Sequence, residues 1–243
     1  MQEIVYHTNF ELEDSYWWFV ARNKIIKKVI SDFVSLDKSD YLLDVGCGTG
    51  SFAAEMNKTT NVIALDTSEL ALEYTRKRGL SITFNCFLKD FPKQDYKPKL
   101  ITFLDVIEHI ENDSQVLNEA YQILSVGDYI IATVPAYQWL WSKHDEIHMH
   151  FRRYTVPKFK KLFNDAGFKV VYSSYFNTLL FPLAVIKRFV DKLIGADKHH
   201  TAPIDPVSPT MNKILQSIFS FEKNLIPSIF LPFGLSIILV AKK

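Results

Sequence analysis

Three apolar runs of the sequence each end in or next to an aspartate, a residue type that can bind ammonium and hydroxyl groups. Asp44 lies in LLDVGCGTG, directly before three alternating glycines, while Asp66 and Asp105 each end a later run. Glycine loses much conformational freedom on folding, so the cluster indicates a sharp turn or the close approach of a ligand. A carboxylate at Asp44 would repel a pyrophosphate, and Ser51 replaces the third glycine of the dinucleotide fingerprint. The pattern therefore favours a positively charged nucleoside over a dinucleotide.

The densest cluster of titratable side chains lies in residues 144–154. It contains His144, Asp145, Glu146, His148 and His150. Imidazole and carboxylate together suit a first-row metal ion, and a histidine titrating near neutral pH suits a general base. A solvated loop with capping interactions explains the same residues, so the sequence leaves these alternatives open and we assign no metal ligands from it.

Two arginines follow this cluster. Arg152 and Arg153 can hold a carboxylate or phosphate of a substrate through paired hydrogen bonds. They can equally form ion pairs with Glu108 or Asp145, and the sequence does not decide between these roles.

The elements that must position these residues alternate between strand and helix. Seven apolar runs predict strands: DYLLDV, NVIALD, SITFN, KLITFLD, DYIIATV, KVVYSSY and LSIILVAKK. Helical periodicity is found between most of the first six, in residues 51–58, 68–78, 113–124 and 156–166. Alternating elements with near-continuous apolar strands predict an α/β fold with a doubly wound, mostly parallel sheet.

Composition excludes several classes of protein. The net charge is +1, so no global field favours nucleic acid as a partner. Only two cysteines are present, Cys47 and Cys86, which rules out a disulfide scaffold and suits a reducing compartment. The acidic first residues lack a signal pattern, and the longest uncharged run, LIPSIFLPFGLSIILVA, falls short of the roughly 20 residues of a spanning helix. These features predict a cytoplasmic protein.

Three motifs in order make the chain similar to the class I S-adenosylmethionine-dependent methyltransferases: LLDVGCGTG, VIALDTS and ITFLDVIEHI. The resemblance implies a seven-stranded sheet with the order 3-2-1-4-5-7-6, its last strand antiparallel. It also implies S-adenosylmethionine as cofactor and S-adenosylhomocysteine as product. The cofactor residues it implies are Asp44, Gly46, Gly48 and Gly50 at the methionine part, Asp66 at the ribose, and Leu104 and Asp105 beside the cofactor. We add their neighbours Cys47, Thr67 and Val106 to the expected cofactor residues. The chain departs from the family in FNCFLKD, which lacks the acidic residue often found near the adenine. Cys86 or Phe87 lies at that position, so we expect backbone amides to contact the adenine, with Asp90 as a less favoured substitute.

A narrower resemblance extends beyond this core. The opening YWWFVAR and the segment HDEIHMHFRRYT are similar to a bacterial subgroup of these enzymes whose substrates are mostly unassigned. Met149 stands where we expect a glycine in that segment. From the chemistry of their side chains, we expect His144, Asp145 and His150 to be the catalytic residues. The substrate-binding residues we expect are Trp18, His109, Arg152, Arg153 and Tyr154.

We therefore expect an S-adenosylmethionine-dependent methyltransferase. Methyl transfer is an in-line attack, for which the protein mainly aligns donor and acceptor. An oxygen acceptor must also lose its proton, for which His144 or His150 is the candidate base, oriented by Asp145. O-methylation is thus the first expectation, with N- and C-methylation left open. The alternatives are a non-catalytic S-adenosylmethionine-binding module and, less favoured, a dinucleotide-dependent oxidoreductase.

We expect one domain over residues 1–243. It comprises an N-terminal helical cap (1–38, with a helix at about 14–34), a cofactor-binding core (39–176), a helical insert (177–233, with a flexible linker at 195–209) and the last strand (234–243). The insert's two apolar helices either pack on each other and on the sheet or leave an apolar, basic surface beside the site. Such a surface suits peripheral contact with the inner membrane face. The expected acceptor is a small molecule, a glycan or a lipid-linked molecule, and the oligomeric state is left open.

Overall fold

The computed structural model describes residues 3–194, 204 and 207–243 and contains one seven-stranded sheet. The strands are β1 (Tyr41–Val45), β2 (Asn61–Asp66), β3 (Thr83–Asn85), β4 (Pro98–Leu104), β5 (Tyr129–Pro135), β6 (Lys169–Phe176) and β7 (Ser236–Lys242). Their order is β3-β2-β1-β4-β5-β7-β6, and β7 is antiparallel to both of its neighbours. The fold and the strand order predicted from the sequence are confirmed.

Helices cover both faces of this sheet. They are α1 (Glu3–Leu12), α2 (Trp17–Phe33), α3 (Ser51–Met56), α4 (Glu69–Lys77), α5 (Asp113–Ile123), α6 (Lys143–Ile147), α7 (Val156–Asp165), α8 (Phe181–Ile194) and α9 (Pro209–Phe221). Neighbouring strand residues alternate between two apolar cores: Leu43 packs with the core under α5 and α7, and Leu42 with the core under α2, α3 and α9. Both faces are therefore buried, as the continuous apolar runs of the strands require.

The N-terminal helix expected at about 14–34 is present as α2, and an additional helix, α1, precedes it. The structure contains α1 and α2, separated by a turn that includes Glu13 and Asp14. Glu13 accepts a hydrogen bond from Thr49 Oγ1 at 2.5 Å, and Asp14 pairs with Arg78 Nη1 at 2.5 Å. These contacts are tertiary, so local periodicity could not place the break between the helices.

The two helices predicted in the insert are present, but α9 packs against α2. The backbone N–H of Trp17 donates to Asn212 Oδ1 at 2.8 Å, and the rings of Trp17 and Phe219 lie 6.0 Å apart. Most of the linker predicted at 195–209 lies outside the described residues. No helix of the described residues is long and apolar enough to cross a membrane.

Candidate active site

A cavity of about 1230 Å³ opens at the carboxyl ends of β1, β2 and β4. Ligands of doubly wound folds bind at this edge, where crossovers leave the sheet in opposite directions. The cavity exceeds the roughly 300–1,000 Å³ of common ligand pockets, so it has room for two ligands side by side. Its walls come from the glycine turn, the segment after β4, the segment around α6, the N-terminal helices and α8.

The three glycines of the turn after β1 differ in what a side chain at each position would contact. All lie in the left-handed region, with φ of +68° at Gly46, +56° at Gly48 and +83° at Gly50. A Cβ at Gly46 would lie 2.6 Å from a methyl of Val106, whereas a Cβ at Gly48 would meet nothing within 4 Å. Gly48 therefore leaves open space in the cavity wall. Gly50 does not line the cavity: its Cβ would lie 2.7 Å from Thr75 Oγ1, so this position serves helix packing.

The carboxylate of Asp66 is fixed by backbone donors at the end of β2. Its two oxygens accept hydrogen bonds from the backbone N–H groups of Gly48 and Ser68, both at 2.9 Å. Burial nevertheless raises the pKa of Asp66. An oriented carboxylate in the cavity wall is suited to accept hydrogen bonds from the hydroxyls of a ligand.

Asp44 is buried behind the glycine turn and accepts a hydrogen bond from Thr102 Oγ1 at 2.6 Å. Burial raises the pKa of Asp44 to about 7, although the Thr102 bond and nearby Arg22 favour the charged form. A cationic ligand group beside it would strengthen that preference. Burial, with Asp66 and Asp44 nearby, also raises the pKa of the Cys47 thiol, which favours the packing role over a reactive one.

Asp105 links the end of β4 to the N-terminal helices. It adopts φ +59°, a conformation rarely found outside glycine, asparagine and aspartate. Its Oδ2 lies 2.6 Å from Arg22 Nη2, and the Arg22 guanidinium lies 5.1 Å from the ring centre of Trp18. Arg22 thus brings a buried positive charge to the cavity wall beside Asp105.

The segment predicted to carry catalytic histidines is built around Asp145. This residue is fully buried, and Ser142 caps α6 by donating its backbone N–H to Asp145 Oδ2 at 2.9 Å. Arg153 donates to both Asp145 oxygens, at 2.7 and 3.0 Å, and His150 Nδ1 lies 2.9 Å from Oδ1. Burial raises the pKa of Asp145, but the bonds from His150 and Arg153 outweigh this and hold it well below its usual range. Asp145 is therefore an anion that orients the imidazole of His150.

Met149 completes this segment in the left-handed region, with φ +59°. A glycine is the residue type that adopts this conformation most readily, which explains why one is expected at the position.

Four histidines share this end of the cavity. Ring centres lie 4.6 Å apart for His109 and His150, and 4.2 Å apart for His144 and His148. Burial and the neighbouring imidazoles lower the pKa of His109 to about 3, and burial together with His148 lowers that of His144. These two imidazoles are therefore neutral near pH 7 and are weak bases.

Glu108 lies under the histidines, in the short 3-10 helix Ile107–His109 after β4. Its side chain is fully buried, and neither carboxylate oxygen has a hydrogen-bond partner among the described residues. Burial and the nearby Asp105 raise the pKa of Glu108 well above its ordinary value.

The structure brings most of the predicted site residues to one cavity. Those that line it are Trp18, Asp44, Gly46, Cys47, Gly48, Asp66, Thr67, Cys86, Phe87, Leu104, Asp105, Val106, His109, His144, His150 and Arg153. Asp145 lies behind His150. Arg152 and Tyr154 are not in the wall: Arg152 Nη1 and the Tyr154 hydroxyl both bond Asp113 Oδ2, at 2.9 and 2.8 Å. A carboxylate in the first turn of α5 thus binds both side chains, and neither of them faces the cavity.

Arg153 lines the cavity, but its guanidinium forms an ion pair with Asp145. Asp145 is one of the two partners, Glu108 and Asp145, that the sequence suggested for the arginines. Its bidentate contact therefore stabilises the α6 segment. The Arg153 guanidinium is therefore already paired and is not free to bind a substrate anion.

Sequence reasoning missed several polar residues of the wall, because they come from segments without a strand–turn signal. The unpaired buried atoms among the described residues include Arg22 Nε, Asn23 Oδ1 and Asn177 Oδ1, all from residues of this cavity. Arg22 and Asn23 follow the YWWF opening, which was the one available signal. The wall also includes Tyr6 and Asn9 of α1, a helix that the sequence did not predict.

Known proteins resemble this chain in sequence and in fold. A family model described as a methyltransferase domain matches residues 19–173. The chain is 28% identical over 162 residues to the sterol 24-C-methyltransferase of Saccharomyces cerevisiae, covering 57% of this chain and 41% of the yeast protein. It is 33% identical over 116 residues to the ubiquinone biosynthesis O-methyltransferase of Rickettsia canadensis, covering 45% of this chain and 49% of that protein. It thus spans half or less of the length of these two relatives.

The fold also matches the solved phosphoethanolamine N-methyltransferase 2 of Haemonchus contortus, in complex with S-adenosyl-L-methionine. The TM-score is 0.58 at 15% identity, and the match covers 91% of this chain and 52% of that one. At this identity the likeness supports the fold alone.

Proposed function

We propose that this chain, which belongs to the class I S-adenosylmethionine-dependent methyltransferases, transfers a methyl group to an oxygen atom of a lipid-linked acceptor. S-adenosylmethionine is the methyl donor, and S-adenosylhomocysteine is the product.

The residues around the glycine turn fit the donor. The open space at Gly48 leaves room for it, and the fixed carboxylate of Asp66 can accept hydrogen bonds from the ribose hydroxyls. Asp44 is placed to favour the ammonium group of the methionine part, because its carboxylate is buried and has few donors of its own. When bound, the cofactor supplies an electrophilic methyl group on a sulfonium sulfur.

The pairing of His150 with Asp145 is the observation that carries the choice of oxygen. An acceptor hydroxyl is a weak nucleophile until its O–H bond breaks, so O-methylation needs a group that promotes loss of this proton. The Asp145 carboxylate, 2.9 Å from Nδ1, fixes a proton on that nitrogen and leaves Nε2 available. We assign the step to His150. His144 is the weaker candidate because burial and His148 lower its pKa.

The bonds in this reaction balance as follows. The acceptor O–H bond breaks and an O–CH₃ bond forms, while the C–S bond breaks and leaves its electron pair on sulfur. The hydroxyl proton ends in solvent after passing the histidine cluster.

The surface of α8 supports a lipid-linked acceptor. Leu183, Ile186 and Phe189 are 61%, 61% and 58% exposed, and Leu183 and Ala184 also line the cavity. One helix therefore offers apolar side chains both to solvent and to the site, as entry from a bilayer surface requires. The names of two relatives refer to apolar molecules, a sterol in one and ubiquinone biosynthesis in the other, in agreement with an apolar acceptor.

Transfer of a tritiated methyl group into cell fractions tests this function. The protein is incubated with labelled S-adenosylmethionine and either a membrane-lipid extract or the aqueous extract. We expect label in the organic phase of the lipid sample. Label that enters only small polar molecules would rule out the lipid-linked acceptor.

Flotation with anionic vesicles tests the entry surface separately. We expect the protein to float with the vesicles, less so at high salt, and Phe189→Glu to weaken this binding. Val126→Glu is the matched control, because Val126 is 89% exposed but lies in the turn before β5, at the opposite edge of the sheet. Equal flotation of the two variants would exclude α8 as the contact surface.

A further inference from the structure

Glu108, His109 and His150 bring together three ligand atoms of the types that bind metal ions. Each residue offers one such atom, and the three atoms lie within 4.8 Å of one another. Two come from the 3-10 helix after β4 and the third from the segment after α6. The two segments are joined by a hydrogen bond from Phe151 N–H to the Glu108 carbonyl at 2.8 Å.

The side chain of Glu108 independently indicates a missing partner. It is fully buried, and both of its oxygens lack a hydrogen-bond partner among the described residues. The two guanidinium groups close to it are already engaged, since Arg153 pairs with Asp145 and Arg22 pairs with Asp105. Native proteins rarely leave a buried carboxyl group without a partner, so Glu108 has room for one more partner, such as an ion, a ligand or a water molecule.

Asp145 supplies a further feature of a metal site. A metal-bound histidine usually donates its second ring N–H to a carboxylate, which fixes the ring and its tautomer. His150 Nδ1 lies 2.9 Å from Asp145 Oδ1, so Nε2 is the nitrogen left to bind a ligand. Asp145 itself is fully buried and held by Arg153 and Ser142, so the imidazole is held in one orientation.

We propose that Glu108, His109 and His150 bind one divalent first-row transition metal ion at the acceptor end of the cavity. One carboxylate and two imidazoles form a donor set that suits Zn²⁺ and its neighbours in the series. Three protein ligands also leave coordination positions open, as in catalytic metal sites.

The proposed ion gives His150 a definite part in the reaction. An acceptor oxygen at an open coordination position would lose its proton to water more easily, because a bound cation lowers the pKa of such a group. His150 would then act as a ligand of the ion and not as the base assigned above, because Nε2 cannot bind the ion and accept a proton at the same time. This role rests on the proposed O-methylation, whereas the binding of the ion does not.

Titration with Co²⁺ tests the site directly. The full chain is treated with a chelator, the chelator is removed, and Co²⁺ is added while visible absorption is recorded. We expect saturable binding of one Co²⁺ per chain with the absorption of an ion bound by nitrogen and oxygen. Glu108→Gln and His109→Gln should each weaken binding by at least about 100-fold, the upper end of what loss of an outer partner costs.

Two further variants complete the design. Asp145→Asn should weaken Co²⁺ binding by about 10–100-fold, as expected for a group that orients a ligand. His7→Gln removes an exposed imidazole outside the cavity and should leave the titration unchanged. Calorimetry with S-adenosylhomocysteine shows for each variant that the cofactor end is still folded.

The possible outcomes separate this proposal from the proposed function. A parent protein that binds S-adenosylhomocysteine but shows no saturable Co²⁺ absorption overturns the metal site, as does Glu108→Gln binding Co²⁺ like the parent. O-methylation that is unaffected by chelators would reject the ion's role and leave the oxygen acceptor standing. Methyl transfer to nitrogen would reject the proposed function, and the Co²⁺ titration would still decide on the site.

Discussion

The cavity has a cofactor end around the glycine turn and an acceptor end around Glu108 and the four histidines. The carboxylates at the two ends differ in how many hydrogen-bond donors surround them. At the cofactor end, Asp66 and Asp44 accept hydrogen bonds from Gly48 in the glycine turn, Ser68 at the start of α4 and Thr102 in β4. At the acceptor end, Asp145 is surrounded by donors while Glu108 has none among the described residues. Each of these two cofactor-end carboxylates thus has at least one donor in the absence of a ligand. The acceptor end is built around a group that needs one.

This difference has a chemical meaning. A nucleoside is held by many weak contacts, for which a preorganised frame is sufficient. Removing a proton from an acceptor needs concentrated charge close to one oxygen, and burial makes such charge effective. Changes at one end should therefore affect binding of the donor, and changes at the other end should affect turnover.

The largest effect is expected at the acceptor end. His150→Ala should lower turnover by roughly 10²–10⁴-fold, the usual contribution of a group that assists proton transfer. The affinity for S-adenosylhomocysteine should change little, because His150 lies across the cavity from the glycine turn. Steady-state kinetics and calorimetry on the same preparation measure both, with His7→Ala as control. Turnover close to that of the parent would remove His150 from the reaction.

Asp66→Ala should affect the opposite property. We expect weaker binding of S-adenosylhomocysteine by roughly 1–3 kcal/mol, the cost of losing a charged hydrogen-bond acceptor. Asp95→Ala serves as a matched control, because Asp95 is an exposed aspartate outside the cavity wall. Unchanged affinity in Asp66→Ala would show that the ribose does not bind at the end of β2.

A change of pH should report on Asp44. Burial raises the pKa of this carboxyl to about 7, so it is protonated in the free protein at lower pH and ionised at higher pH. An ammonium group of the ligand favours the ionised form, so affinity should rise as the pH increases from 6 to 8 and protons should be released on binding. The expected change is about tenfold, the equivalent of one pKa unit. Calorimetry in buffers of different ionisation enthalpy measures the released protons, and Asp44→Asn should abolish the dependence.

The smallest effect separates two glycines of one turn. Gly46→Ala and Gly48→Ala both place a side chain at positive φ, which costs about 1–2 kcal/mol of unfolding free energy. Only Gly46→Ala also meets a neighbour, Val106 at 2.6 Å, so it should be the less stable of the two. Gly48→Ala should instead weaken cofactor binding, because its methyl group enters the open cavity. Denaturant unfolding measures the difference in stability, and calorimetry measures the affinity for the cofactor. If Gly46→Ala weakened cofactor binding more than Gly48→Ala does, the ligand would not bind beside Gly48.

The two ends also differ in how far the sequence predicts them. The seven strands and the glycine turn follow from contiguous patterns, because strand, turn and helix are consecutive in the chain. The acceptor end depends on long-range partners that no local pattern contains. Arg152 and Tyr154 follow the histidine segment in sequence, yet Asp113 of α5 binds both. Likewise, Glu108 has no ion-pair partner because Arg22 pairs with Asp105 and Arg153 pairs with Asp145, and no local pattern predicts these contacts.

Identifying the atom that receives the methyl group tests the central claim most directly. The protein is incubated with S-adenosylmethionine carrying a ¹³C-labelled methyl group and with a membrane-lipid extract, and the labelled product is examined by NMR. The ¹³C chemical shift of the transferred methyl distinguishes oxygen, nitrogen and carbon as its new partner. We predict an O-methyl signal in a lipid-soluble product, abolished in His150→Ala. An N-methyl or C-methyl signal would contradict the account.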